Sequence, residues 1–359
     1  MQVIVIGAGL AGLVCTLKLQ EEGYEFLLFD AADAPGGRVC TDHVDGFLLD
    51  RGFQVYLTAY PKGQKWLDYD ALRFRPAEPG AIVRHEGQFE HVIDPWRRPA
   101  KALKTAFSSI GTMSDKFRVG LLRAHARRGT LEDLFQQEER TTAETLSARR
   151  FSRQMINAFF RPYFGGIFFD RELLTTDRMM HFVFRMMSEG ETVLPAEGME
   201  AIPRQLASRL APETLWLNDP VLRVQGTTVY LDSGERLEAD AIVVATGHSE
   251  AARLLDMPSL DIGWNATTCL YYATDRSPVN GPWLVLNGEE TGPVNNLIVP
   301  STIQPGYAPE GRHLVSASIV GDPPSPDGEL EAQVRTQLGR WFGQQEVDRW
   351  SHVRTYQIK

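Results

Sequence analysis

The chain opens on an unbroken apolar, β-branched run, Val3-Ile4-Val5-Ile6, with no polar position between. Such a run predicts a central parallel strand buried on both faces. The spacing then becomes helical over 13–22 and stops at Gly23, and a second apolar run over 24–29 ends in Asp30. Between 95 and 189 apolar positions recur at helical intervals, predicting helices over 114–126, 131–137, 142–149 and 152–160. A helix over 202–210 precedes short runs at 221–224, 228–231 and 241–244, which read as a β-meander returning to the parallel sheet. From 264 onward, proline and glycine punctuate runs that predict strands over 267–273, 283–286, 296–299, 314–320 and 353–357, with one helix over 329–342. Neither half contains an internal repeat. The pattern is that of an α/β protein of two domains, a parallel sheet with helices and a second part mixing helices with an antiparallel sheet.

The junction of the first strand and helix carries the first chemical signal, Gly7-x-Gly9-x-x-Gly12. Gly7 serves the tight turn, Gly9 lets a pyrophosphate approach the backbone, and Gly12 lets helix and strand pack closely. The N–H groups of Leu10 and Ala11 then face the phosphates at the positive end of the helix. Asp30 lies 23 residues beyond Gly7, where a carboxylate can take ribose hydroxyls and would repel a 2′-phosphate. A dinucleotide other than NADP is the expectation.

Composition narrows the partners. The 359 residues carry a formal net charge of −9, which argues against nucleic acid. Cys15, Cys40 and Cys269 are scattered without CxxC spacing, and the eight histidines show no HExxH, so neither a disulfide framework nor a metal site is expected. The apolar start lacks the charged region and cleavage site of a signal peptide, and no run is long enough to span a membrane. The default expectation is a cytoplasmic protein, with peripheral membrane contact as a variant of it.

Pro35-Gly36-Gly37-Arg38 decides between a mobile nicotinamide and a resident flavin. A nicotinamide unit has no need of two glycines and an arginine there. A flavin dinucleotide buried lengthwise does, because backbone must approach it and a fixed cation can sit by its pyrophosphate. With "VIVIGAGLAGL", "FDAADAPGGR", "GFLLDRGF", "LPAEGMEAIPRQLA" and "VVATG", the chain resembles the FAD-dependent family of flavin amine oxidases, phytoene desaturases and protoporphyrinogen oxidases. Glu197 stands where that family usually has a glycine. The resemblance implies an FAD-binding Rossmann-like domain, parallel sheet plus β-meander, over 1–60 and 190–260. It also implies an inserted α+β substrate domain over 61–189 and 261–359. It places Val221 by the adenine, Gly52 near the flavin ring and Gly247 at a strand end near the cofactor. With the glycines and Asp30 these complete the expected FAD site: Gly7, Gly9, Leu10, Ala11, Gly12, Asp30, Gly36, Gly37, Arg38, Gly52, Val221 and Gly247. No catalytic residue is singled out.

The dense stretch 159–169, followed by Met179, Met180, Phe182, Phe184, Met186 and Met187, has two readings: core of the second domain, or an apolar channel for a large hydrophobic substrate. Many amine oxidases of the family use a lysine near the flavin, and no residue from 117 to 358 is lysine. Dehydrogenation of a polyene, isoprenoid or tetrapyrrole by hydride loss to flavin N5 is therefore the expectation. An amine oxidase without the usual lysine and a flavin-free lipid carrier of the same fold are the alternatives. The family's carboxy-terminal G-D segment has no counterpart before Lys359, from which either a fragment or a truncated gene product is expected, with weakened FAD binding if the chain is complete.

Overall fold

The computed structural model describes residues 1–101, 108–323 and 328–359. The chain divides into two units, 1–42 with 62–73 and 197–264, and 43–61 with 74–196 and 265–359. Against the expected 1–60 and 190–260, residues 43–60 and 190–196 group with the second unit, and 62–73 and 261–264 with the first.

The first unit is built on a parallel sheet in the spatial order Leu215–Trp216, Glu25–Phe29, Gln2–Ile6, Ala241–Val244. The strand Gln2–Ile6 is central, so its side chains alternate between two apolar layers. Val3 and Val5 pack with Leu13 and Leu17 of helix Leu10–Glu21 and with Trp66 and Leu206. Ile4 and Ile6 face Val221, Val229 and Leu231 of the meander Val221–Gln225, Thr228–Leu231, Arg236–Glu238. An uninterrupted apolar strand is what two buried faces require.

The second unit centres on a seven-stranded sheet in the order Ser351–Ile358, Thr267–Thr274, His313–Val320, Asn296–Ile298, Leu284–Asn287, Gly80–His85, Gln88–Ile93. The sheet is mixed rather than antiparallel throughout, because Leu284–Asn287 runs parallel to Gly80–His85. Its last two strands fall outside the expected elements. They form a hairpin about Glu86 and Gly87, both at positive φ as a two-residue primed turn demands. Helix Glu329–Phe342 covers one face with Leu330, Val334, Leu338 and Trp341. Ala81, Val83 and Leu286 carry the other face into a helical layer holding Ile110, Leu122, Leu146, Phe160, Phe164 and Met180.

In that layer, helices Met113–Ala126, Leu131–Phe135 and Thr142–Ala148 fall close to their expected positions, each started by a threonine–acid capping box. Arg161–Phe168 and Asp177–Glu189 fall outside the expected helices. The expected helix 152–160 is instead one α-turn, Arg153–Met155, leading into a π-turn, Ile156–Phe160, where the Arg161 N–H reaches back to the Ile156 carbonyl. The chain then runs on into Arg161–Phe168, with Pro162 tolerated in the first turn.

His181, 2% exposed, sits in this layer against His125, with an Arg149 guanidinium nitrogen 3.4 Å from its Nε2. Burial, then His125 and Arg149, lowers its pKa from 6.5 to about 4. The unfolded chain therefore takes the proton near 6.5, before the folded chain does. This contribution to stability is complete above that pH and is lost as pH falls toward about 4. Between pH 7 and about 5 the chain should lose roughly 2 kcal/mol more than its His181→Gln variant in denaturant unfolding. Parallel pH dependences would remove His181 as the cause.

Candidate functional site

The structure gathers most of the expected cofactor residues into one cradle in the first unit. Gly7, at φ +103°, ends the central strand, and its N–H donates to the Phe29 carbonyl at 2.8 Å. Gly9 caps helix Leu10–Glu21 through its backbone alone; no side chain caps this terminus. The N–H groups of the first turn, Leu10 and Ala11 among them, are thus left for a ligand, and both residues are exposed. At Gly12 a Cβ would lie 1.9 Å from the Gly7 carbonyl oxygen, so the helix approaches the strand as no other residue allows.

The Gly36-Gly37 turn folds back onto this loop. Gly36 bridges to Gly9, its N–H donates to the Ala8 carbonyl at 2.9 Å, and a Cβ on Gly37 would lie 3.4 Å from the Gly9 Cα. Both turn glycines have positive φ. Two stretches some thirty residues apart in sequence therefore meet backbone to backbone. Arg38 follows, with its guanidinium carbon 5.4 Å from the ring centre of Trp264. Trp264 stacks on His248 at 3.9 Å and reaches Gly247, the uncapped start of helix His248–Leu255. Trp264 and His248 are absent from the expected site, because nothing in local spacing announces an aromatic pair brought together by a strand end and a loop.

Asp30 is half-buried, and its carboxylate already accepts the Ala8 N–H at 2.5 Å and the Ala32 N–H at 2.8 Å. It clasps the glycine loop, and each oxygen keeps a second acceptor direction for a ribose hydroxyl. Val221 begins the meander, buried against Ile4 and Ile6. Gly52 lies in the second unit at φ +85°, where a Cβ would meet the tip of the Ile358 side chain at 2.6 Å.

The residues present fit a dinucleotide. The cradle is lined by backbone where a Cβ would collide, and a helix terminus without a side-chain cap faces the space beside Arg38. Among the described residues, no three of His, Cys, Asp or Glu cluster as a metal site, and no helix is long and apolar enough to cross a membrane.

The second unit holds a cavity of about 240 Å³. Its wall is Phe53, Val55, Ile110, Met155, Phe159 and Phe160, continued by Tyr163, Ile167, Phe184 and Met187. The charged groups at its margin are engaged. Asp94 accepts from Arg123 at 3.0 Å, Glu78 from Lys101 at 3.0 Å and Arg98 at 3.1 Å, and Lys116 donates to the Ser108 carbonyl. Burial pushes the Glu78 carboxyl upward, but Lys101 and Arg98 more than offset it and hold it below its ordinary value. The Lys116 ammonium is pushed down by burial. Among the described residues, both carboxylates of this wall, Glu78 and Asp94, are paired with cations.

The model of the family described as flavin containing amine oxidoreductase matches residues 10–358. A 15-cis-phytoene desaturase of Arabidopsis thaliana is 28% identical over 99 residues, which make up 24% of this chain and 18% of that protein. Protoporphyrinogen oxidase 2 of the same plant is 23% identical over 165 residues, 46% of this chain and 32% of that protein. These matches span less than a third of either relative's length. Among solved structures, an oxidoreductase from Methanosarcina mazei superposes with a TM-score of 0.71 at 17% identity, over 99% of this chain and 87% of that one. That likeness is one of fold.

Proposed function

The chain belongs to the flavin containing amine oxidoreductase family, by family an FAD-dependent oxidoreductase, and from this premise we propose that it dehydrogenates an apolar substrate held in the cavity of the second unit. The observation that carries the flavin reading is the return of Gly36-Gly37 onto Gly9, a double backbone approach that a nicotinamide-binding turn does not need. Gly9, Leu10 and Ala11 would hold the pyrophosphate by backbone, Asp30 the ribose, and Arg38 would add a fixed positive charge. When bound, FAD would supply the oxidising ring, accepting a hydride from substrate carbon at N5.

The protein's own part follows from the cavity. Aromatic and methionine side chains exclude water and fit an extended apolar molecule without directional demands. With Asp94 and Glu78 tied to cations and Lys116 donating to the Ser108 carbonyl, the described wall residues hold no free base, which favours a substrate that loses a hydride with little acid–base help. The stretch from 117 to 358 holds no lysine, so Lys116 is the group a lysine-assisted amine oxidation would have to use. Isoprenoid, polyene and tetrapyrrole substrates are the class this supports, in keeping with the named activities of the two plant relatives.

The test is the visible spectrum of the purified chain, before and after titration with FAD. A bound flavin spectrum that bleaches when an apolar polyene is added without oxygen is the expected result. A chain that stays colourless in excess FAD would overturn the flavin reading and favour the lipid carrier.

A further inference from the structure

Apart from the charged groups at its margin, the wall of the cavity is mostly apolar, and a phenol stands among its aromatic residues. Tyr163 lies on helix Arg161–Phe168 and lines the cavity beside Met187 of helix Asp177–Glu189. Its hydroxyl donates to the Met187 sulfur at 2.9 Å, and among the described residues that thioether is its one hydrogen-bond partner. A thioether is a poor acceptor, and a buried phenol normally finds an oxygen or nitrogen. Burial, and then the Asp94 charge, hold the phenol well above its ordinary pKa, so it stays a donor at any working pH.

Phe159 stacks on the Tyr163 ring at 5.2 Å and Phe164 meets it edge-on at 5.4 Å, fixing the ring from two sides. The π-turn Ile156–Phe160 stands just before it, and such turns are rare and recur at functional sites. It sets Phe159 and Phe160 in the wall together with Tyr163. The fixed ring and the weak acceptor leave a half-buried O–H, facing the cavity, whose natural partner is an oxygen brought by a ligand.

We propose that the Tyr163 hydroxyl is the polar anchor of this cavity, and that the ligand class it selects is an apolar, isoprenoid-like molecule carrying one neutral oxygen, a hydroxyl or a carbonyl. The Tyr163 O–H donates to that oxygen and gives up its contact with Met187 sulfur, while the remaining carbons lie against Phe159, Phe160, Ile167 and Phe184. This inference rests on the reading of the cavity as the substrate site.

The test compares farnesol with its hydrocarbon counterpart farnesene, by displacement of an apolar fluorophore from the full chain. Tyr163→Phe, which removes only the hydroxyl, should weaken farnesol about tenfold and leave farnesene unchanged. Met187→Leu removes the competing acceptor and should strengthen farnesol about twofold to threefold, whether or not the phenylalanine variant folds. Equal losses for both ligands in Tyr163→Phe, or no loss for either, would overturn the anchor while leaving the cavity reading intact. Wild-type protein that binds neither ligand would overturn the cavity reading and the anchor together.

Discussion

Gly12→Val is expected to abolish FAD binding and to destabilise the first unit, whereas Gly9→Ala should lose the cofactor while keeping the fold. A Cβ at Gly12 would stand 1.9 Å from the Gly7 carbonyl oxygen and 3.1 Å from its carbon. Both are backbone atoms of the central strand, which cannot rotate away as a flexible side chain would. Helix Leu10–Glu21 must therefore move off the sheet, carrying the N–H groups of Leu10 and Ala11 out of the cradle. Overpacking of this kind costs about 1–3 kcal/mol where neighbours can relax, and the full side chain of valine makes this site a severe case. Gly9 is different: its φ of −68° suits alanine, and a Cβ there meets nothing within 4 Å. That open space is where a pyrophosphate would approach, so the added methyl obstructs ligand and not protein. For both variants the FAD dissociation constant should rise at least roughly 100-fold, about 2.7 kcal/mol of lost binding. Only Gly12→Val should also lower the thermal midpoint. Spectral titration with FAD and a circular-dichroism melt separate the two effects. Gly9→Ala binding FAD like wild type would mean that nothing approaches the loop there.

This contrast also marks what the sequence made legible. The strand–glycine–helix join announces itself because a change of period, a continuous apolar run and three glycines fall within a dozen residues. The same holds for the threonine–acid capping boxes that start the middle helices, since each cap is a local bond between neighbours in the chain. Asp30 is legible as an acid at the right offset. Its bond to Ala8 is not, because that depends on how the loop curls. Gly52 takes the positive φ that favours glycine, and the neighbour a Cβ would meet there, the Ile358 side chain, lies about three hundred residues away in sequence. Arg38 over Trp264 belongs to the same class of long-range pairing. The Glu86-Gly87 turn carried a local signal that went unused, a short polar pair flanked by runs of mixed polarity. The π-turn carried none, because one extra residue in a helical turn leaves the apolar spacing almost unchanged.

The aromatic stretch allows two readings, core and channel, and its residues lie both in the helical core and in the wall of the cavity. Phe160, 1% exposed, packs edge-on against Phe151 at 4.8 Å and stacks with Phe164 at 5.9 Å, so it is part of the helical core. It also contributes to the wall of the cavity in the second unit. Truncating it removes core contacts, and the void it leaves opens into a space that already exists and cannot collapse. Phe160→Ala should therefore cost about 3–5 kcal/mol, at the upper end of what phenylalanine truncation gives. Denaturant unfolding at neutral pH measures it. A purely structural phenylalanine would show that loss whatever apolar ligand is present. A residue shared with the cavity should behave otherwise, because the enlarged space can be filled from solution. Saturating farnesene should return part of the lost stability to the variant, and more than it adds to wild type, by the linkage between binding and folding. An equal shift in both proteins would assign Phe160 to the core alone and confine the cavity to the remaining wall.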